Sequence, residues 1–159
     1  MDIEAELAAL TARVRLLEDI EAIRAVIAAY GPAADRGDAE GAAALWQDDG
    51  LYDVGGFGVS AGRTAIAALL EGPAHRTLIE GGAAHVLSPV SMALDGDHAT
   101  ATGYSCVFRW TGAAFEAHRI SANRWMLVRT AAGWKVGSRV NRLLDGAEAA
   151  RALLAGGGI

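Results

Sequence analysis

Along the first fifth of the chain, apolar residues recur at Ile3, Leu7, Leu10, Val14, Leu17, Ile20, Ile23, Ile27 and Tyr30, a three-four spacing that lays one apolar stripe along a helix. Asp2 is placed to cap its start, and Glu4 and Glu6 occupy the first turn, where acidic side chains suit the helix dipole. The early stripe is nearly heptad-like, so it suits either the chain's own sheet or a partner subunit, with self-packing the commoner outcome. Pro32 lacks an N–H and its ring crowds the carbonyl four residues back, which predicts that the helix ends or kinks at Gly31-Pro32. Asp38 then serves as N-cap of a second helix, Ala39 to Gln47, with Leu45 and Trp46 turned inward and Gly41 as its weak point.

After Asp48-Asp49-Gly50 the period changes. A short strand, Leu51 to Val54, turns at Gly55-Gly56-Phe57-Gly58 and returns as Val59-Ser60-Ala61. Arg63 to Leu70 forms a third helix that Gly72-Pro73 stops, and Gly72 to Gly82, which includes His75, reads as a loop. From Ala83 to Phe108 apolar and small or polar residues alternate on both sides of Asp95-Gly96, the signature of a long antiparallel hairpin. Alternation puts His85, Leu87, Pro89 and Ser91 on one strand face and Ala84, Val86, Ser88 and Val90 on the other. Glu116 to Arg129 and Trp134 to Leu143 alternate again around Ala131-Ala132-Gly133. Asp145 precedes a last helix, Gly146 to Leu154, and a Gly156-Gly157-Gly158 tail expected to fray. Helices first and antiparallel strands afterwards argue for an α+β fold in one domain, 1–159, with 1–16 as a helical extension and 155–159 as a flexible tail.

Composition narrows the chemistry. A net charge of -5 with no block of like charge gives no basic stripe for nucleic acid. Cys106 is the single cysteine and no charged-then-apolar leader stands at the start, so a reducing, cytoplasmic setting is expected. No apolar run approaches the roughly 20 residues that cross a bilayer, and no helix has a dense basic face, so no membrane partner is expected. Gly55 to Gly58 lacks the Lys-Ser/Thr of a phosphate loop, and no His, Cys and carboxylate spacing matches a zinc or iron site. No cofactor is expected.

The order of helices, small hairpin, helix and long strands is joined by several motifs. They are Tyr30 and Asp35 in Y-G-P-A-A-D-R-G-D, His85 opening a strand, the turn L-D-G-D-H-A, and R-T-A-A-G-W-K-V-G-S-R-V. Together, from about Leu17 to Leu143, they resemble the SnoaL-like branch of the nuclear transport factor 2-like (NTF2-like) superfamily. The resemblance implies a cone-shaped α+β roll, in which three N-terminal helices wrap a curved mixed or antiparallel sheet around an apolar pocket. Its members include dehydratases, dehydrochlorinases, isomerases, polyketide cyclases, epoxide hydrolases and small subunits of ring-hydroxylating dioxygenases, so the fold leaves the reaction open.

Likeness to the bile-acid and scytalone-type dehydratases and to the hexachlorocyclohexane dehydrochlorinase points to Tyr30, Asp35 and His85 as catalytic residues. A neutral imidazole is a competent base near neutral pH, a carboxylate fixes its tautomer, and a phenol can donate to a carbonyl or leaving oxygen. Otherwise, Asp35 caps or pairs locally and His85 is a satisfied strand residue. A kink at Gly31-Pro32 would turn Asp35 away or widen the pocket mouth.

Further substrate-binding candidates are Trp46, Tyr52, His118, Arg139 and Asn141. Strand alternation sets His118, Ile120, Ala122 and Arg124 on one face and Arg119, Ser121, Asn123 and Trp125 on the other, either of which can line the pocket. Arg139 and Asn141 share a face, where they contact a substrate oxyanion or form an interstrand polar ladder. Trp46, Trp110, Trp125 and Trp134 read as core or pocket-wall aromatics, and Cys106 as a small buried hydrophobe. The expected function is a cofactor-independent lyase or isomerase acting on an apolar cyclic, steroid- or polyketide-like molecule. The alternative is a non-catalytic binding protein or a small dioxygenase-type subunit. Homodimerisation is expected through Glu116 to Arg129 and Trp134 to Leu143, with Ile3 to Leu17 reaching across.

Overall fold

The Asp2 carboxylate accepts from the backbone N–H groups of Glu4 and Ala5, and from this cap α1 runs unbroken from Ile3 to Asp35. The computed structural model describes residues 2–155. Contrary to the reading of Gly31-Pro32 as its end, α1 continues through Pro32 and closes where the Arg36 N–H reaches Pro32 O and the Asp38 N–H reaches Ala33 O. A helical proline costs about 3 kcal/mol. Burying Ile23 and Ile27, each worth roughly 1.5–3 kcal/mol, together with Tyr30, Ala33 and Ala34, outweighs that cost. Gly31 has a different purpose from helix breaking. A Cβ there would lie 2.1 Å from the backbone oxygen of His85, so glycine lets the helix rest directly on a strand.

Only the second half of α1 packs in this way. Asp2 to Glu18 are exposed, so the early stripe does not lie on the chain's own sheet, and contact begins at Asp19. The Asp19 carboxylate takes a forked ion pair from Arg129 (2.5 and 2.7 Å) and a bond from the Trp134 indole at 3.0 Å.

Helix α2 spans only Ala39–Ala43. Asp38 caps it through the Gly41 N–H at 2.8 Å, and a Cβ on Gly41 would meet that carboxylate at 2.2 Å, so the supposed weak point is a requirement of the cap. Trp46 does not end this helix; it opens β1 (Trp46–Val54), which turns into β2 (Gly58–Ala61). Helix α3 (Arg63–Glu71) is followed by α4 (Pro73–Glu80), where a loop was expected, so four helices rather than three come before the long strands that start at Ala83. Pro73 stands at the first helical position, where its missing N–H has no intrahelical partner to lose; it starts a helix as well as stopping one.

The remaining strands are β3 (Ala83–Leu87), β4 (Ser91–Asp95), β5 (His98–Trp110), β6 (Phe115–Thr130) and β7 (Gly133–Leu143), with α5 (Glu148–Leu153) last. The sheet is curved, unclosed and mixed, ordered β2-β1-β7-β6-β5-β3 with β4 also on β5; β1 runs parallel to β7 and the other pairs are antiparallel. The predicted hairpin is present, but Ser88-Pro89-Val90 interrupt its first arm. Leu87 pairs with Ser105 and Ser91 with Thr102, so four residues step against three and the strand phase reverses. Met92 and Leu94, not Pro89 and Ser91, therefore continue the inward face of His85 and Leu87. A second bulge makes His118 the extra residue between the pairs Val107–Arg119 and Phe108–Ala117.

Trp46, Trp125, Ile23, Ile66, Leu127 and Val136 fill the core between the helices and the sheet. Trp134 is buried as expected, whereas Trp110 is 40% exposed against Phe115 and is not core. Asp145 bonds the Ala147 N–H at 3.0 Å before α5 starts, rather than capping it. The Gly156-Gly157-Gly158 tail lies outside the described residues. No helix among them is long and apolar enough to cross a membrane.

Candidate functional site

A cavity of about 430 Å³ opens between the sheet, the end of α1 and the α3-α4 pair. Because Gly31 brings α1 against β3, Asp35 at the helix end meets His85 across 50 positions of sequence, and the local pairing weighed for Asp35 is not what forms. The Asp35 Oδ1 stands 2.6 Å from the His85 Nδ1, and the carboxylate also accepts the His85 backbone N–H at 2.9 and 3.1 Å. An ionised carboxylate only accepts, so Nδ1 donates, and in the neutral ring Nε2 is the nitrogen with the lone pair. Grip on both backbone and ring fixes the ring plane as well as the tautomer.

Tyr30 stands edge-on to His85, ring centres 6.3 Å apart, with its hydroxyl 3.4 Å from that of Tyr52. Burial pushes the Tyr30 phenol well above its ordinary range, so it stays protonated and can donate. Above these rings lies the guanidinium of Arg139, 4.3 Å from the Tyr30 ring centre, 4.8 Å from Tyr52 and 4.1 Å from Trp125. Arg139 is 1% exposed and forms no ion pair among the described residues. Its Nε donates to Asn123 Oδ1 at 2.9 Å, and its Nη1 is buried without a hydrogen-bond partner. Desolvating a cation costs several kcal/mol, which ring contacts at about 2 kcal/mol or less each offset only in part.

The polar ladder expected around Arg139 and Asn141 exists and is longer than foreseen. Asn141 Nδ2 donates to Asn123 Oδ1 at 3.2 Å, and Arg119 Nη2 donates to Asn141 Oδ1 at 3.2 Å and to Gly55 O at 2.8 Å. Ser105 accepts from both amides. Because His118 is the bulge residue, it and Arg119 both line the cavity although strict alternation separates them.

Of the residues singled out beforehand, Tyr30, His85, Tyr52, His118, Arg139 and Asn141 line the cavity, and Asp35 stands behind His85. Trp46 does not line it. With no exposed surface it packs behind Tyr52 and Trp125, ring centres 5.3 and 6.1 Å away, because it opens a strand whose inward face is core.

His75 was missed, since α4 was read as a loop. Its ring centre is 5.3 Å from that of His85, its Nδ1 bonds Leu70 O at 2.8 Å, and its Nε2 is buried without a partner. Burial first, and then the neighbouring His85, hold its pKa below the ordinary value, so the ring is neutral with Nε2 as an acceptor. The signal that could have found it was Pro73 as a helix start, which puts His75 on the same turn as Leu78, another cavity residue. Cys106 is half-buried on β5 with its thiol pKa raised by desolvation, and thus holds its proton. Among the described residues no group of three His, Cys, Asp or Glu side chains is placed to hold a metal ion.

The fold and cavity define an NTF2-like protein, and the SnoaL-like domain family matches residues 15–140. The chain belongs to that family. A crystal structure of an NTF2-like protein with a cystatin-like fold from Novosphingobium aromaticivorans is 54% identical over 94% of this chain and 97% of its own, with a TM-score of 0.92. A protein of unknown function from Mycobacterium tuberculosis is 24% identical over 92% of this chain and 89% of its own, with a TM-score of 0.74. A Catenulispora acidiphila protein solved in complex with S-DNPA is 21% identical over 82% of this chain and 94% of its own, at a TM-score of 0.66. A search of curated proteins found no match.

Proposed function

We propose that this protein is a cofactor-independent lyase or isomerase that removes a proton from a carbon beside a carbonyl in a cyclic, largely apolar small molecule. The observation that carries this reading is the Asp35–His85 pair, which leaves one basic nitrogen on the wall of a cavity otherwise built mostly of Leu, Val and aromatic side chains. His85 Nε2 takes the proton, and the imidazolium that forms is stabilised by Asp35. Charge developing on the carbonyl oxygen meets the Arg139 guanidinium and the protonated Tyr30 hydroxyl, donors already in place before reaction. The imidazolium then returns its proton, to a departing hydroxyl in an elimination or to another carbon in an isomerisation. The Catenulispora acidiphila protein crystallised with a small molecule supports a ligand-binding use of the same fold.

Mass-spectrometric detection of solvent deuterium entering cyclic ketone probes tests this. The wild-type protein is expected to catalyse exchange and His85→Ala to lose it; no exchange above buffer across probes that demonstrably bind would sink the reading.

We also propose that the chain works as a homodimer. Ile120, Met126, Tyr104 and Val86 leave an apolar outer sheet face exposed, as does the α1 stripe from Ile3 to Leu17. Light scattering at micromolar concentration is expected to give twice the chain mass.

A further inference from the structure

In a chain with 19 acidic and 14 basic side chains, the described residues that line the cavity include no Asp or Glu. Its polar walls carry Arg119 and Arg139 together with His75, His85 and His118. What sets Arg139 apart from the other arginines without an ion pair is its burial, at 1% exposure. Arg36, Arg63, Arg129 and Arg142 each form an ion pair with an aspartate, whereas Arg119 and Arg139 form none among the described residues.

Their hydrogen bonds go to neutral acceptors. Arg119 donates to Ser121 Oγ, Gly55 O and Asn141 Oδ1, and Arg139 to Asn123 Oδ1. Both amides present their oxygens to the guanidiniums, fixing the position of the two cations without cancelling their charge. The nearby carboxylates are engaged elsewhere, Asp35 by His85 and Asp53, which pairs with Val140 in the sheet, by Arg142. Arg139, 1% exposed, keeps a buried Nη1 with no partner among the described residues, and the three rings around it help to make an uncompensated cation tolerable.

We infer that the molecule this cavity takes carries a carboxylate, seated at the Arg119–Arg139 end, with its cyclic apolar body against the leucine and valine walls. A carboxylate supplies the planar acceptor fork that a guanidinium matches and the negative charge this wall lacks. The inference rests on and deepens the reading of the cavity as the site of reaction, and it adds to an apolar substrate an acidic group that tightens binding.

Isothermal titration calorimetry of the full chain with 2-naphthoate and with 2-naphthamide, equal in shape and differing in charge, tests this. Naphthoate is expected to bind at least tenfold tighter than the amide. Arg139→Gln should abolish that preference, while Arg139→Lys should retain part of it, with circular dichroism checking the fold. Arg119→Gln, at a less buried position, serves if Arg139→Gln does not fold, and should cut naphthoate affinity severalfold while leaving naphthamide unchanged. The absence of a carboxylate preference in the wild-type protein, whether both probes bind alike or neither binds, overturns the inference, as does a preference untouched in every folded arginine variant. His85→Ala is expected to keep the preference, so anion recognition and proton transfer fail separately if only one of them is wrong.

Discussion

In the cavity wall Asp35 and His85 satisfy each other through three contacts between 2.6 and 3.1 Å, whereas Arg119 and Arg139 are held by amides, a serine, a backbone carbonyl and, for Arg139, aromatic faces, with no ion pair among the described residues. The first arrangement carries one negative charge, which is neutralised only when a proton reaches the imidazole. The second holds positive charge in place ahead of need, at a cost in desolvation that rings and amide dipoles only partly offset. A site for deprotonating carbon needs both: a base whose orientation is settled and a fixed positive wall for the electrons left behind.

The largest expected effect comes from removing the base. Given a substrate, His85→Ala should lower turnover by on the order of a hundredfold or more with the fold intact, as for loss of a positioned general base. Asp35→Asn should also lower it, through the altered tautomer, and full activity in both variants would break the left half of the comparison. Gly31→Ala comes next, because its new methyl would lie 2.1 Å from His85 O. Helix and strand must separate, at about 1–3 kcal/mol as in other overpacked sites. Urea titration reads the loss, and activity should fall with it.

Removing the cation tests the other half. Arg139→Met should change unfolding free energy by less than about 1 kcal/mol, or raise it, because exchanging an unpaired buried ion for an apolar side chain is often neutral or stabilising. A loss of several kcal/mol would show that the guanidinium serves the fold first.

The smallest effects are in pH. His75 has its pKa depressed below 6.5, so the unfolded chain binds a proton that the native ring resists, and stability should fall as pH drops below about 6.5. His75→Gln should flatten that slope in thermal melts. Asp19 gives a slope of the same sign in a lower pH window. Bonds from Arg129 and then Trp134 hold its carboxyl down from 3.8 to about 2, giving stability that is present above about pH 4 and lost as pH falls toward 2. Asp19→Asn should remove that acid-side loss and leave the His75 slope alone.

Much of this was legible in the sequence, for reasons that differ by region. The Asp38 cap, the existence of the α1 helix and the hairpin turn at Asp95-Gly96 follow from local rules; the packing of the early α1 stripe and the strand phase before Asp95 do not. The meeting of Asp35 and His85 came from a resemblance and not from spacing, since no local pattern spans 50 positions. What escaped depends on partners that a single strand or helix does not reveal. The phase reversal at Ser88-Pro89-Val90 and the paired use of His118 and Arg119 exist only in the register against β5. Gly31 reads as a breaker until His85 O is beside it, and Trp46 continues a helical pattern until β7 offers a strand to pair with. The Arg119–Arg139 imbalance is invisible in the overall charge, which is negative.

Strand β3 closes one margin of the sheet, and the free amides of such a margin invite addition of a foreign strand. The His85 N–H on that margin is taken by Asp35 from α1, so the side chain that aims the imidazole also blunts the sheet's open border. In the proposed reaction the same carboxylate serves proton transfer, so Asp35→Asn is expected to lower solubility as well as turnover.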